Sequence, residues 1–227
     1  MISIKFKAVL FDLDGTLINS HASVERAWRK WSDRNDINFD ETNKVLHGRP
    51  AAETMRLLLP GATDNEIKRQ KAIHEKEESR DVSDTEIICG ALEFISTLSQ
   101  LNIPWAIVTS GAFIVASARI RAVSLPEPRV FVTPEKVSKG KPDPEPFLLG
   151  AKLLGIKPED CVVFEDSPAG LISGDAANCR LVGVLSQYSA EQLPKADIYV
   201  KDFEALSVSQ KLDGQCELRL NDFPHVK

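Results

Sequence analysis

The chain has 227 residues, 43% hydrophobic and 27% charged, with a formal net charge of −5. That length and balance describe one globular domain, or one domain with a sizeable insertion, and exclude a disordered or fibrous chain. An acidic chain without clustered Lys and Arg is not expected to bind a nucleic-acid backbone, whereas a small anion in a locally positive pocket is compatible with it.

Ala8 to Phe11 is a short apolar run that stops at Asp12, the pattern of a strand buried on both faces of a parallel sheet. No long apolar segment occurs, so neither a signal peptide nor a membrane span is expected. The four cysteines, Cys89, Cys161, Cys179 and Cys216, lack Cys-x-x-Cys spacing and read as buried or unpaired thiols of a cytoplasmic protein.

From His21 to Glu86 the strand signal gives way to helical spacing, with Val24, Ala27, Trp28 and Trp31 on one helix face, which assigns both tryptophans to packing. Thr63 and Glu66 form a capping box that opens a further helix. Apolar strand-like runs then recur at Trp105 to Val108, Val130 to Val132, Val162 to Phe164 and Leu181 to Leu185, separated by helix-like stretches. Gly155 suits the end of one helix, and Ser167 followed by Pro168 suits the start of another. Leu206 to Gln210 and Cys216 to Leu220 flank Asp213-Gly214, a hairpin signal.

The expected fold is therefore α/β, a Rossmann-like parallel sheet formed by residues 1–19 and 87–227. A small all-helical cap domain, residues 20–86, is inserted after the first strand, and an edge hairpin closes the chain. Two linkers to the cap allow a hinge.

Four clusters sit where apolar strands end. Asp12-Leu13-Asp14-Gly15-Thr16 places two carboxylates at the carboxyl end of the central strand, where parallel sheets bind ligands. They suit a nucleophile and an acid/base, although a capped loop would also use such residues. Thr109-Ser110-Gly111 offers a hydroxyl and backbone N–H groups, either as an anion nest or as a helix cap. Lys141, between Gly140 and Pro142 and read at the start of a helix, suits neutralisation of a phosphoryl group, while Lys139 reads as a solvated lysine. Glu165-Asp166 ends a strand and suits magnesium, for which Asp12, Asp166 and one main-chain carbonyl suffice, or else caps the next helix. In the insertion, His47-Gly48-Arg49 forms a loop that either faces substrate or is a solvated turn.

In this order the four clusters resemble the motif set of the haloacid dehalogenase superfamily, and the insertion resembles that family's first type of cap. Within it, Pro104 to Gly111 and Lys141 to Gly155 are similar to sugar phosphatases and to deoxyglucose-phosphate and glycerol-phosphate phosphatases. The resemblance implies Asp12 as nucleophile and metal ligand, and Asp14 as general acid/base whose main-chain carbonyl meets Mg2+. It implies Thr109, Ser110 and Gly111 as phosphoryl binders and Lys141 as the residue orienting Asp12. Asp166 would be a metal ligand, and Glu165 would bind the ion directly or through an intervening group.

The implied activity is a magnesium-dependent phosphomonoesterase of small sugar or polyol phosphates, acting as a monomer through an aspartyl phosphate, with the cap selecting substrate. A sugar phosphomutase is the alternative; such enzymes place a histidine about a dozen residues past the nucleophile, where this chain has Val24. A dehalogenase would need neither Asp14 nor the metal site. A silent binding or regulatory protein would keep the fold without turnover.

Overall fold

The computed structural model describes residues 3–46, 50–211 and 215–221. His47, Gly48, Arg49 and the Asp213-Gly214 turn lie outside them. Two strands, β1 (Ser3–Phe6) and β2 (Ala8–Phe11), open the chain, and β3 (Ile18–Asn19) leads into α1 (His21–Arg34), α2 (Phe39–Asn43), α3 (Ala51–Leu58) and α4 (Asp64–Glu78). The chain returns through β4 (Glu86–Ile87) to α5 (Ala91–Gln100), β5 (Trp105–Val108), α6 (Phe113–Ala122), β6 (Val130–Val132) and α7 (Glu145–Leu154). It continues as β7 (Cys161–Glu165), α8 (Pro168–Ala176), β8 (Arg180–Val184), β9 (Ile198–Val200), β10 (Leu206–Gln210) and β11 (Cys216–Leu220).

Six strands form one parallel sheet in the order β6-β5-β2-β7-β8-β9, with β2 flanked by β5 and β7. Successive side chains of a strand point to opposite faces, so an all-apolar strand requires cover on both. In β2, Ala8 and Leu10 pack with Phe147 and Ala151 of α7 and Leu171 of α8. Val9 and Phe11 pack on the other face with Phe94 and Ile95 of α5 and Ile120 of α6. Phe11, Phe94, Phe164 and Phe203 form one cluster with ring centroids 5.2–6.1 Å apart, which fixes the end of β2 that carries Asp12.

The expected strands are all present, and β9 joins them. The terminal hairpin pairs from Leu206↔Leu220 to Gln210↔Cys216. Strand β1 adds to its β11 side, making a separate three-stranded antiparallel sheet. The alternation in β1, with Ile4 and Phe6 buried and Ser3 and Lys5 exposed, is that of a sheet covered on one face only.

Local signals hold as well. Thr63 Oγ1 accepts from the Glu66 N–H at 3.2 Å, and Ser167 Oγ accepts from the Gly170 N–H at 3.1 Å. Gly155 ends α7 with φ 72°. Lys141, however, does not begin a helix: α7 starts at Glu145, after the two prolines.

The insert α1–α4 has its own core of Trp28, Trp31, Leu46, Met55 and Ile67. Its two connections to the sheet pair with each other as an antiparallel ribbon, Ile18↔Ile87 and Asn19↔Glu86. Arg26 of α1 reinforces this junction by forking onto Asp81 and Asp84. Among the described residues no helix is long and apolar enough to cross a membrane.

His74 of α4 is 1% exposed, its ring centroid lies 4.3 Å from that of Trp28, and among the described residues it has no partner at Nδ1. Burial holds its pKa down to about 4; Arg34 of α1 and Arg119 of α6 act in the same direction, against Glu77 of its own helix. Glu78 Oε2 stands 3.6 Å from its Nε2. The unfolded chain takes the proton near pH 6.5, so the stability due to neutral His74 is full above that pH and is lost as the pH falls toward 4. In urea unfolding, the parent should lose roughly 2 kcal/mol more stability between pH 7 and pH 5 than His74→Gln does. An identical pH dependence in the two proteins would contradict this assignment.

Candidate active site

Asp12 follows β2 directly and is anchored by its N–H, which donates to the Phe164 carbonyl at 2.9 Å. Its Oδ1 accepts from Lys141 Nζ at 2.6 Å. The same ammonium donates to Glu165 Oε1 at 2.7 Å and to the Val108 carbonyl at 2.8 Å, so its three donors are used. Asp12, Lys141, Glu165 and Asp166 are each no more than 6% exposed.

The second oxygen of Glu165 is occupied too, accepting from the Ser167 N–H at 2.8 Å and Oγ at 2.9 Å. Asp166 accepts only longer bonds, from Thr16 Oγ1 at 3.4 Å and Ser186 Oγ at 3.3 Å. Of the two adjacent acids, Asp166 has the weaker protein contacts, while Glu165 is committed to holding Lys141.

Electrostatics follow from three buried carboxylates against one ammonium. Burial raises the Asp12 pKa to about 8 despite Lys141, with Glu165 and Asp14 adding repulsion. Asp166 is raised well above its ordinary value by burial, then by Glu165 and Asp12. Burial opposes the charge of Lys141, but Asp12 and Glu165 outweigh it and raise its pKa. Carboxylates left short of positive charge in a low-dielectric site favour a cation. Among the described residues no three Asp, Glu, His or Cys side chains by themselves surround a metal position. Magnesium demands less, since it retains waters and uses one or two carboxylates. The buried carboxylates of Asp12 and Asp166, side by side in the cleft, are oxygen donors of the kind that requirement calls for.

Two glycines create the space. Gly15 has φ +87°, and a Cβ there would lie 2.1 Å from Asp166 Oδ2; at Gly170 it would lie 1.7 Å from Glu165 Oε1. The first brings together residues about 150 positions apart, an approach the sequence does not announce. The second is visible only when α8 is seen to start against the Glu165 carboxylate.

Asp14 is held differently. Its Oδ1 accepts from Ser20 Oγ at 2.6 Å and from Arg119 Nη1 at 2.9 Å. Sequence reading missed both residues, although a lone arginine among Val115, Ala116 and Ile120 on the buried side of α6 is a legible anomaly. Thr109 caps no helix, because its Oγ1 accepts from the Gly111 N–H at 3.0 Å and α6 begins at Phe113 after Ala112. A cleft of about 360 Å3 brings together Asp12, Asp14, Thr109, Ser110, Gly111, Glu165 and Asp166 under the insert. Its outer wall contains His21, Glu25 and Asn43 of the insert and Gln187 of the core, with the Gln187 amide against the His21 imidazole. The position of His47 and Arg49 relative to this cleft lies outside the described residues.

A parallel sheet that delivers a lysine-paired aspartate from its central strand into a cleft roofed by a helical insert defines a class of α/β hydrolases. A family model for haloacid dehalogenase-like hydrolases matches residues 6–178, and the chain belongs to that family. It is 40% identical to hexitol phosphatase A of Escherichia coli over 208 residues, 92% of this chain and 96% of that protein. It is 31% identical to glycerol-1-phosphate phosphohydrolase 1 of Saccharomyces cerevisiae, covering 100% of this chain and 95% of the relative. The crystal structure of a family IA, variant 3 hydrolase from Entamoeba histolytica superposes with TM-score 0.80 and 26% identity, covering 88% and 95% of the two chains.

The glycine geometry yields a stability test. Gly170→Ala should lower the urea-unfolding free energy by about 1–3 kcal/mol, since Glu165 must leave its place. Gly61→Ala, with nothing within 4 Å of the added carbon, should not destabilise. Equal effects at the two positions would show that no close approach at Gly170 limits the fold.

Proposed function

We propose that the chain is a magnesium-dependent phosphomonoesterase acting on small sugar or polyol phosphates through an aspartyl phosphate on Asp12. The observation that carries this reading is the buried Asp12–Lys141–Glu165 constellation, with Asp14 two residues further on and all but Lys141 lining one cleft.

With Oδ1 bound to Lys141, Asp12 presents Oδ2 to phosphorus. As the Asp12 oxygen forms its bond to phosphorus, the ester oxygen leaves and takes a proton from Asp14. Water then attacks the aspartyl phosphate and gives a proton to Asp14, which restores Asp12 and releases phosphate. Lys141 orients the nucleophile and offsets the charge on its carboxylate, while Glu165 keeps Lys141 in place. Thr109, Ser110 and the Gly111 backbone hold phosphoryl oxygens. Asp12, Asp166 and the Asp14 carbonyl would hold magnesium, whose charge would offset the negative charge on the phosphoryl oxygens.

The insert, residues 20–86, acts as a cap on the core of residues 1–19 and 87–227. Polar groups at the outer cleft, Glu25, Asn43 and Gln187, suit an alcohol portion rich in hydroxyls, and the volume suits a small molecule. Similarity to enzymes named for hexitol phosphates and glycerol 1-phosphate supports the same substrate class. Val24 at this cleft wall is apolar, which favours hydrolysis over the mutase alternative.

Phosphate release should be measured on hexitol, hexose, deoxyhexose and glycerol phosphates, with magnesium or with chelator. Release should require magnesium, and Asp12→Asn should lower it by more than about 10³-fold while the protein stays folded. Activity near the parent level in Asp12→Asn would remove the assigned nucleophile. Failure of the folded parent to release phosphate from any ester would sink the phosphatase reading.

A further inference from the structure

Arg119 is 2% exposed in α6 and lies between residues that enter the core. A guanidinium cannot shed its charge, so burying one requires close anionic partners. Its two partners come from different parts of the chain. Nη1 donates to Asp14 Oδ1 at 2.9 Å, and Nη2 donates to Oε1 of Glu78, the last residue of α4 in the insert, at 2.6 Å. Among the described residues its Nε has no partner, so its polar contacts are those of the two arms.

The consequence for Asp14 is geometric. Oδ1 receives two donors, Arg119 and Ser20, which leaves Oδ2 as the oxygen to carry a transferable proton. Oδ2 faces the phosphoryl loop: a carbon added at Gly111 would lie 3.4 Å from it. A carboxyl held in this way presents Oδ2 to the cleft. The Glu78 arm comes from the insert, so seating the insert on the core also orients the arginine.

We propose that Arg119 is a positioning residue for proton transfer by Asp14, and that Glu78 is the insert's half of the clamp that aims it. This rests on the acid/base role given to Asp14 above. A merely structural ion pair would slow all substrates alike, whereas a group that aims an acid affects leaving groups that need a proton. Glycerol 1-phosphate expels an alkoxide and needs one; 4-nitrophenyl phosphate expels a stable phenolate and does not.

First-turnover rates of glycerol or nitrophenolate release, which report the phosphorylation of Asp12 alone, should be measured together with the melting temperature for the parent, Asp14→Asn, Arg119→Gln, Arg119→Lys and Glu78→Gln. Arg119→Gln should lower the first-turnover rate on glycerol phosphate by about 30-fold or more, and that on nitrophenyl phosphate by less than about threefold. Arg119→Lys should recover part of the loss, and Glu78→Gln should show the same selectivity to a smaller extent. Should Arg119→Gln fail to fold, the lysine and Glu78 variants carry the same comparison. Equal losses on both esters, or no loss on either, would overturn the proposal while leaving the phosphatase intact. Asp14→Asn is the calibrator. If that variant lacks the selectivity, the acid/base assignment itself fails and the positioning role falls with it.

Discussion

One ammonium organises the centre of this molecule. Lys141 Nζ is bonded to a carboxylate just past β2, a carbonyl at the end of β5 and a carboxylate at the end of β7. These are three adjacent interior strands of the sheet. Removing one partner from a buried ion pair is strongly destabilising, by about 3–5 kcal/mol in well-studied cases, because it strands an uncompensated charge. The same bonds that hold the strand ends in register therefore aim Asp12 into the cleft. Glu165 and Ser167 extend the network to the start of α8, and Gly170 leaves the volume that the Glu165 carboxylate needs.

The charge arithmetic of that network explains why the site fits a cation. A single lysine neutralises Asp12 and Glu165 incompletely, and Asp166 adds a third buried carboxylate with only long hydrogen bonds. Desolvation then pushes Asp12 and Asp166 toward protonation. A cation shared by the latter two would offset the burial that their position demands, without any further protein ligand beyond a carbonyl. Glu165, saturated by Lys141 and Ser167, is suited to support rather than to ligation.

A second cation, Arg119, repeats the pattern at the border between the sheet and the insert. Lys141 ties strand ends to one another, whereas Arg119 ties the loop after β2 to a helix of the insert. The two aspartates of one five-residue stretch thus have separate supports, one within the core and one that spans the core and the insert. The antiparallel ribbon of β3 and β4 keeps the two connections side by side, so insert and core meet at a defined junction.

Much of this was legible from the sequence. Apolar runs that end at acidic or hydroxyl residues marked β2, β5 and β7 with their site residues, because a strand buried on both faces has no polar position until it emerges. Helical spacing marked α1 and its tryptophans, and caps at Thr63, Gly155 and Ser167 were local chemistry read locally. The family motif set further implied which residues act. Tertiary structure decided the rest. Arg119 pairs with Asp14 across 105 positions and with Glu78 across 41, and no local pattern encodes either contact. Likewise, the sequence left Glu165 and Asp166 as two neighbouring acids. Both line the cleft, and only the packing around them determines that one is held by Lys141 while the other keeps no hydrogen bond shorter than 3.3 Å among the described residues.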